Sequence, residues 1–162
     1  MDKYERWDTL REKYPNLRLS LPWPHKDNEA IYWGEPTIND LVLFSNTLRY
    51  CSVMLNIAST VSIDAAITNT PVVCVGFHPA KKNEGEFYKD VHFSEHYTPI
   101  METGATPLSI SLEELITMVC EQLVLQGKFE QQRHLLTDSF LPETIKYSTE
   151  TIIDLFNNGF NQ

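Results

Sequence analysis

Cysteine is sparse and scattered in this sequence. Cys51, Cys74 and Cys120 are odd in number and far apart, and no C-x-x-C occurs. Neither a zinc site nor a redox pair is indicated, and a reducing compartment is expected. Long apolar runs are also missing. The longest are strand-length, so no membrane-spanning helix is expected. The first residues, M-D-K-Y-E-R-W, are charged and hold no apolar core, so no signal peptide is expected. Basic residues are short: 13 Lys and Arg stand against 22 Asp and Glu, a formal charge of −9. That balance argues against a nucleic-acid partner, which needs a basic face. It also argues, less strongly, against an anionic membrane surface. It does not forbid a phosphate ligand, because backbone amides can hold one locally.

Several catalytic signatures are absent as well. There is no G-x-G-x-x-G and no G-x-x-x-x-G-K-[ST], so neither a dinucleotide fingerprint nor a P-loop is present. No D-x-D offers a carboxylate pair for a metal, and no G-x-S-x-G elbow offers a nucleophile.

What is present is concentrated between Val53 and Phe77. The order is V-M-L-N, then I-A-S-T-V-S-I-D-A-A-I-T-N-T, then P-V-V-C-V-G-F. This reads as a strand, a turn of small hydroxyl residues, a short helix and a proline-led strand. Both strands are too apolar to alternate, so both faces should be covered, as in a parallel sheet. The turn falls at the carboxyl end of a strand, where α/β folds bind ligands.

The rest of the chain follows the same alternation. Asp2 to Lys13 reads as a helix ending at Tyr14-Pro15-Asn16, and Leu17 to Leu21 as a strand. Pro22, Pro24 and His25 to Glu29 form a loop. Thr37-x-x-Asp40 resembles a capping box before a helix with Leu41, Phe44, Ser45 and Leu48 on one face. Strands are expected at Cys51–Asn56, Pro71–Phe77 and 105–108, and a helix over Thr60–Thr68. Gly76 to Glu95 reads as a long irregular loop. Ser111-x-x-Glu114 is a second capping box, with Leu112, Leu115, Ile116, Val119 and Leu123 at helical spacing. Pro142 opens a last helix carrying Ile145, Ile152, Ile153 and Phe156. The 162 residues fit one α/β domain with a mainly parallel, doubly wound sheet. Four strands are expected. A doubly wound fold normally begins with a strand near the sheet centre, and here the chain opens with a helix. The sheet is therefore expected to lack its first strand.

Ser59 and Thr60 can cap the helix or bind an anion, and one role does not exclude the other. Asp64 is an acid in an otherwise apolar helix. It reads equally as a solvated face and as an acceptor for ribose hydroxyls. Asn56 closes the strand and suits a turn role. His25, His78, His92 and His96 fall in loops, where function gathers. His92 and His96 are four apart but not in a convincing helix, so a metal pair is not favoured. His134 reads as a surface helix residue. Glu84, Glu86 and Asp90, mixed with Lys81, Lys82 and Lys89, read as a solvated lid.

The segment A-S-T-V-S-I-D-A-A-I-T-N-T-P-V-V-C-V-G-F resembles the donor-binding segment of GT-B glycosyltransferases, specifically bacterial surface-polysaccharide and glycerophosphate transferases. Pro71 stands seven residues past Asp64, as in that pattern. Y-E-R-W-D-T-L-R-E-K-Y-P-N and H-Y-T-P-I-M-E-T-G-A resemble flanking parts of the same domain, so the likeness covers most of the chain. It implies a Rossmann-like, three-layer α/β/α domain that binds a nucleotide-diphosphate sugar or related activated donor. Ser59, Thr60 and the amide of Val61 would then meet the diphosphate, and Asp64 the ribose. Asn56, His78, His96 and Tyr97 would lie at the cleft. Family members often carry Glu at the position of Asp64. They generally need no metal, so the donor is the only small molecule implied.

The family's N-terminal domain, which supplies acceptor contacts and the general base, has no counterpart here. This chain is therefore expected not to transfer a sugar alone, and to need that domain or a partner chain. An unpaired sheet edge further predicts a homodimer or a compensating rearrangement. Cytoplasmic placement is implied, with peripheral association at the inner face of the membrane common among such enzymes. Three other readings stand beside this one. They are a nucleotide-sugar 2-epimerase-like domain, a non-catalytic nucleotide-binding or interaction module, and a flavodoxin-like domain without nucleotide.

Overall fold

The computed structural model describes residues 5–18, 37–78, 90–125 and 127–141. The chain divides into two compact units, Met1–Phe44 and Ser45–Gln162. In the first, helix α1 spans Glu5–Lys13. It stops where expected: the Leu17 amide donates back to the Tyr14 carbonyl, and the Arg18 guanidinium closes on the Pro15 carbonyl at 2.8 Å. Leu17 and Arg18 are irregular. The rest of the strand expected at Leu17–Leu21 lies outside the described residues, as do the Pro22–Glu29 loop, Lys81 to Lys89 and the helix expected from Pro142.

Helix α2, Ile38–Tyr50, crosses from one unit to the next. Its capping box forms as the sequence indicates. The Asp40 carboxylate accepts from the Thr37 amide at 2.8 Å and the Thr37 hydroxyl at 2.7 Å, while the Asp40 amide returns a bond to Thr37 Oγ1. These bonds hold the Asp40 carboxyl below the usual carboxylate range.

The second unit is α/β and contains an open parallel sheet of three short strands, ordered β1-β2-β3. They are β1 (Met54–Asn56), β2 (Val72–Val75) and β3 (Leu108–Ser109). Helix α3 (Val61–Ile67) connects β1 to β2, and α4 (Thr98–Glu102) precedes β3. Helices α5 (Leu112–Val124) and α6 (Glu130–Phe140) follow.

All three strands are shorter than their apolar runs. Cys51 belongs to the end of α2, since its amide bonds to the Thr47 carbonyl. Pro71 has no N–H to donate, and pairing begins where the Met54 amide meets the Pro71 carbonyl. The third strand is displaced from 105–108 to Leu108–Ser109. Gly104, at φ 70°, still belongs to the turn that ends α4, and Pro107 offers β2 only its carbonyl.

Burial of both faces holds for β2 but not for β1. Val72, Val73 and Cys74 are all buried, so successive residues of β2 find cover on opposite faces. Leu55 in β1 is 49% exposed, and among the described residues β1 pairs with β2 alone. The core joins Leu48, Ala65, Ala66, Val72, Cys74, Tyr97, Ile100, Ala105 and Leu136. Helix α3 packs against α6, and α5 packs against β2 and β3.

One end of this packing is locked by polar side chains. Asn69 takes φ 55° just past α3, which Asn tolerates better than most residues. Its amide and that of Thr70 return to the carbonyls of Ala66 and Ala65, a Schellman closure. Buried Arg133 donates from Nε to Asn69 Oδ1 at 2.6 Å, tying α6 to that closure.

The second capping box forms in half: Ser111 Oγ accepts from the Glu114 amide, but the Glu114 carboxylate takes the amide of Ile110, one residue before the cap, in place of that of Ser111. The helix then turns differently from its apolar pattern. Leu115, Met118, Val119 and Gln122 are covered or partly covered, with Gln122 buried, while Leu112, Ile116 and Leu123 are exposed. The covered stripe follows i, i+3, i+4, i+7 spacing from Leu115 and admits one polar side chain.

Candidate ligand site

Asn56 ends β1, and the chain turns through Ile57, Ala58, Ser59 and Thr60 into α3. Register then decides what surrounds this turn. Asn56 pairs with Cys74, so the two side chains meet on one face of the sheet. The Cys74 thiol donates to Asn56 Oδ1 at 3.2 Å. Asn56 Nδ2 donates to Ser62 Oγ at 2.8 Å. Ser62 Oγ lies 2.8 Å from the Tyr97 hydroxyl, which lies 3.4 Å from Cys74 Sγ. These four contacts close a circuit. Ser62 donating to Tyr97, and Tyr97 to Cys74, lets each of the four side chains donate once and accept once. Ser62, Cys74 and Tyr97 are buried, and this satisfaction is what makes a buried polar cluster tolerable. Burial, followed by the charge of neighbouring Cys74, pushes the Tyr97 phenol far above its ordinary range. Burial raises the Cys74 thiol also.

His92 supports the turn from a second direction. It is buried, meets the Tyr97 ring edge-on at 5.9 Å, and accepts the Ala58 amide on Nε2 at 3.3 Å. Ala58 holds φ 43°, a left-handed conformation that costs a non-glycine residue roughly 1–2 kcal/mol.

The candidate ligand groups lie on this support. Ser59 Oγ accepts from the Val61 amide at 3.3 Å, so Ser59 rather than Thr60 caps the helix start. Thr60 is exposed and its side chain makes no capping bond. The Ser59 and Thr60 carbonyls accept from Ser62 and Ile63. The Ser59 and Thr60 amides have no partner among the described residues. Two N–H groups and the Thr60 hydroxyl are thus available to an anion, while the Val61 amide is engaged within the turn. Asp64 is half-buried on α3 and has no ion-pair partner among the described residues. Burial raises its carboxyl above the ordinary carboxylate range.

The remaining candidates separate. Asn56 and Tyr97 are brought together by Ser62, but Tyr97 lies wholly beneath the turn. His78 is half-buried three residues past β2, and His96 is exposed. His92 uses Nε2 on Ala58, so that nitrogen is not free for a metal shared with His96. His134 is exposed on α6, 3.9 Å from Glu130. Among the described residues, no group of three or more His, Cys, Asp or Glu could hold a metal ion. No helix there is long and apolar enough to cross a membrane.

Three residues of this support, Ser62, Cys74 and His92, carry no motif. A serine interrupting the apolar run V-S-I was the available signal for Ser62. A groove of about 400 Å³ opens at the other end of the strands, lined by Arg49, Ser52, Asn69, Pro71 and Glu130 among others. It belongs to the amino ends of β1 and β2 and does not reach the turn.

No protein-family model matches the chain, and no curated protein or solved structure matches it.

Proposed function

We propose that this chain is the donor-binding half of a glycosyltransferase and takes a nucleoside-diphosphate sugar, or a related activated donor, at the β1–α3 turn. The carrying observation is the pair of unpartnered amides at Ser59 and Thr60, at the carboxyl end of a parallel strand. A donor diphosphate would take these two N–H bonds and the Thr60 hydroxyl. Asp64 would accept from the ribose hydroxyls, which compensates an otherwise unpaired carboxylate. Fixed amides would also stabilise charge growing on the departing diphosphate, the preorganised form of electrostatic catalysis.

On this reading the sheet belongs to a Rossmann-like α/β/α domain, and the burial of both faces of β2 supports that. The general base and the acceptor site are assigned to a further domain or partner chain. Placement is in the cytoplasm, peripheral to the membrane where the acceptor is a lipid.

Calorimetric titration with UDP, CDP, GDP and ADP, followed by amide chemical shifts, tests this. One diphosphate should bind selectively, shift the Ser59 and Thr60 amides, and lose affinity on Asp64→Ala. Absence of binding to all four would sink the proposal.

A further inference from the structure

The groove at the amino ends of β1 and β2 is built from three chain segments. Arg49 and Tyr50 end α2 and run through Cys51 and Ser52 toward β1, Thr68 to Pro71 carry α3 into β2, and Gly127 and Glu130 lead into α6. Its floor is fixed by hydrogen bonds. Thr70 Oγ1 donates to the Leu48 carbonyl, and Asn69 Nδ2 donates to Glu130 Oε1 at 3.2 Å. Its charges do not cancel. Glu130 answers buried Arg133: burial lowers the Arg133 guanidinium from its ordinary value, and the Glu130 charge partly offsets that. Arg49 is exposed, has no acid partner among the described residues, and rests on the Tyr50 ring at 6.0 Å. It is the surplus charge of the groove, in a chain whose net charge is −9. Groups that suit an anion line the same space. The Ser52 side chain is exposed, and the amides of Ser52 and Gly127 have no partner among the described residues. A cation in the last turn of a helix also complements the helix dipole. That accounts for Arg49 on α2, but not for the open hydroxyl and two open amides beside it.

We propose that this groove binds a small molecule through an oxyanion, a carboxylate or phosphate group, held by the Arg49 guanidinium, the Ser52 hydroxyl and the Ser52 and Gly127 amides. A guanidinium can meet two oxygens of either group with parallel N–H bonds. Tyr50 and Pro71 line the groove as apolar surface for the rest of the ligand, and about 400 Å³ is room for a small metabolite. Cys51 gives a reporter inside the site. It is half-buried in the groove, and its thiol donates to the Leu48 carbonyl at 3.6 Å. This inference is independent of the donor-site reading, because the groove and the β1–α3 turn lie at opposite ends of the strands.

The test titrates the full chain with inorganic phosphate and, separately, with succinate, against sodium chloride at matched ionic strength. At least one of the two anions should shift the Ser52 and Gly127 amides saturably. The same anion should slow labelling of Cys51 by a thiol reagent and leave the rate at exposed Cys120 unchanged. A response to phosphate alone assigns a phosphate ester and a response to succinate alone a carboxylate; each supports the site. Shifts at Ser59 and Thr60 report the other end of the strands and bear on the donor-site reading only. Arg49→Gln should weaken the anion that binds by about ten- to a hundredfold, the effect of one lost charge-assisted hydrogen bond. Arg49→Lys keeps the charge without the paired N–H geometry and should recover part of that loss. Because Arg49 is exposed, both variants should melt close to the wild type. Two results overturn the proposal. One is a pair of anions that move Ser52 and Gly127 no more than chloride does. The other is a folded Arg49→Gln chain that binds as well as the wild type.

Discussion

Tyr97→Phe removes one oxygen from the closed circuit beneath the turn, and its cost can be worked from the contacts. The phenol shares a 2.8 Å bond with Ser62 Oγ and a 3.4 Å contact with Cys74 Sγ. Losing it strands the buried Ser62 hydroxyl, whose own acceptor role is already filled by Asn56 Nδ2. A stranded buried donor costs about 1–3 kcal/mol, and the contact to sulfur adds little. A net loss of about 2 kcal/mol is expected, roughly 5–10 °C in melting temperature for a unit of this size. Urea denaturation should show a lower midpoint with an unchanged slope. Ser62→Ala should cost a similar amount. The double variant should cost about 1 kcal/mol less than the sum, because neither hydroxyl is then left without the other and only Asn56 Nδ2, which Ser62→Ala alone already deprives of its acceptor, stays unpaired. Alkaline pH gives an independent check. The folded phenol is raised, so its contribution is full below about pH 10, the unfolded value, and is lost as pH climbs further. A loss below about 0.5 kcal/mol for Tyr97→Phe, or strict additivity with Ser62→Ala, would refute the circuit as a source of stability.

Gly76→Ala should destabilise by about 1–3 kcal/mol in the same urea assay. A Cβ there would stand 2.7 Å from Leu108 Cδ1 and 2.9 Å from the Ser109 carbonyl oxygen, which accepts the Gly76 amide. Asp64→Asn should raise stability at pH 7 by about 0.5 kcal/mol or less, the range of partly exposed sites. The raised carboxyl makes folding less favourable once it ionises, so the gain should shrink as pH falls through the raised folded value and be gone below about 4, the unfolded value. Thermal melts from pH 3 to 7 check both sign and window. A thiol reagent should label exposed Cys120 first and buried Cys74 only on unfolding, with mass spectrometry giving the order.

The sequence by itself determined the local elements whose causes are local. Thr37-x-x-Asp40 and Ser111-x-x-Glu114 begin helices because capping needs only residues three apart. The order strand, hydroxyl turn, helix, strand between Val53 and Phe77 was legible from apolar runs and Pro71. So was the position of the candidate turn at the carboxyl end of a parallel strand. Helix α4 was not legible, since five residues opened by Thr98-Pro99 carry too little periodicity. Nor was the rotation of α5 that buries Gln122, because its apolar positions allow more than one inward stripe. Tertiary structure alone decided where strands end, since pairing partners rather than hydrophobicity set β3 at Leu108–Ser109. It also decided which polar residues matter beneath the site. Asn56, Ser62, Cys74, His92 and Tyr97 are separated by up to 41 positions in the chain. They become neighbours through strand register and the packing of segment 90–102, and burial then turns ordinary side chains into a support that must be fully hydrogen-bonded.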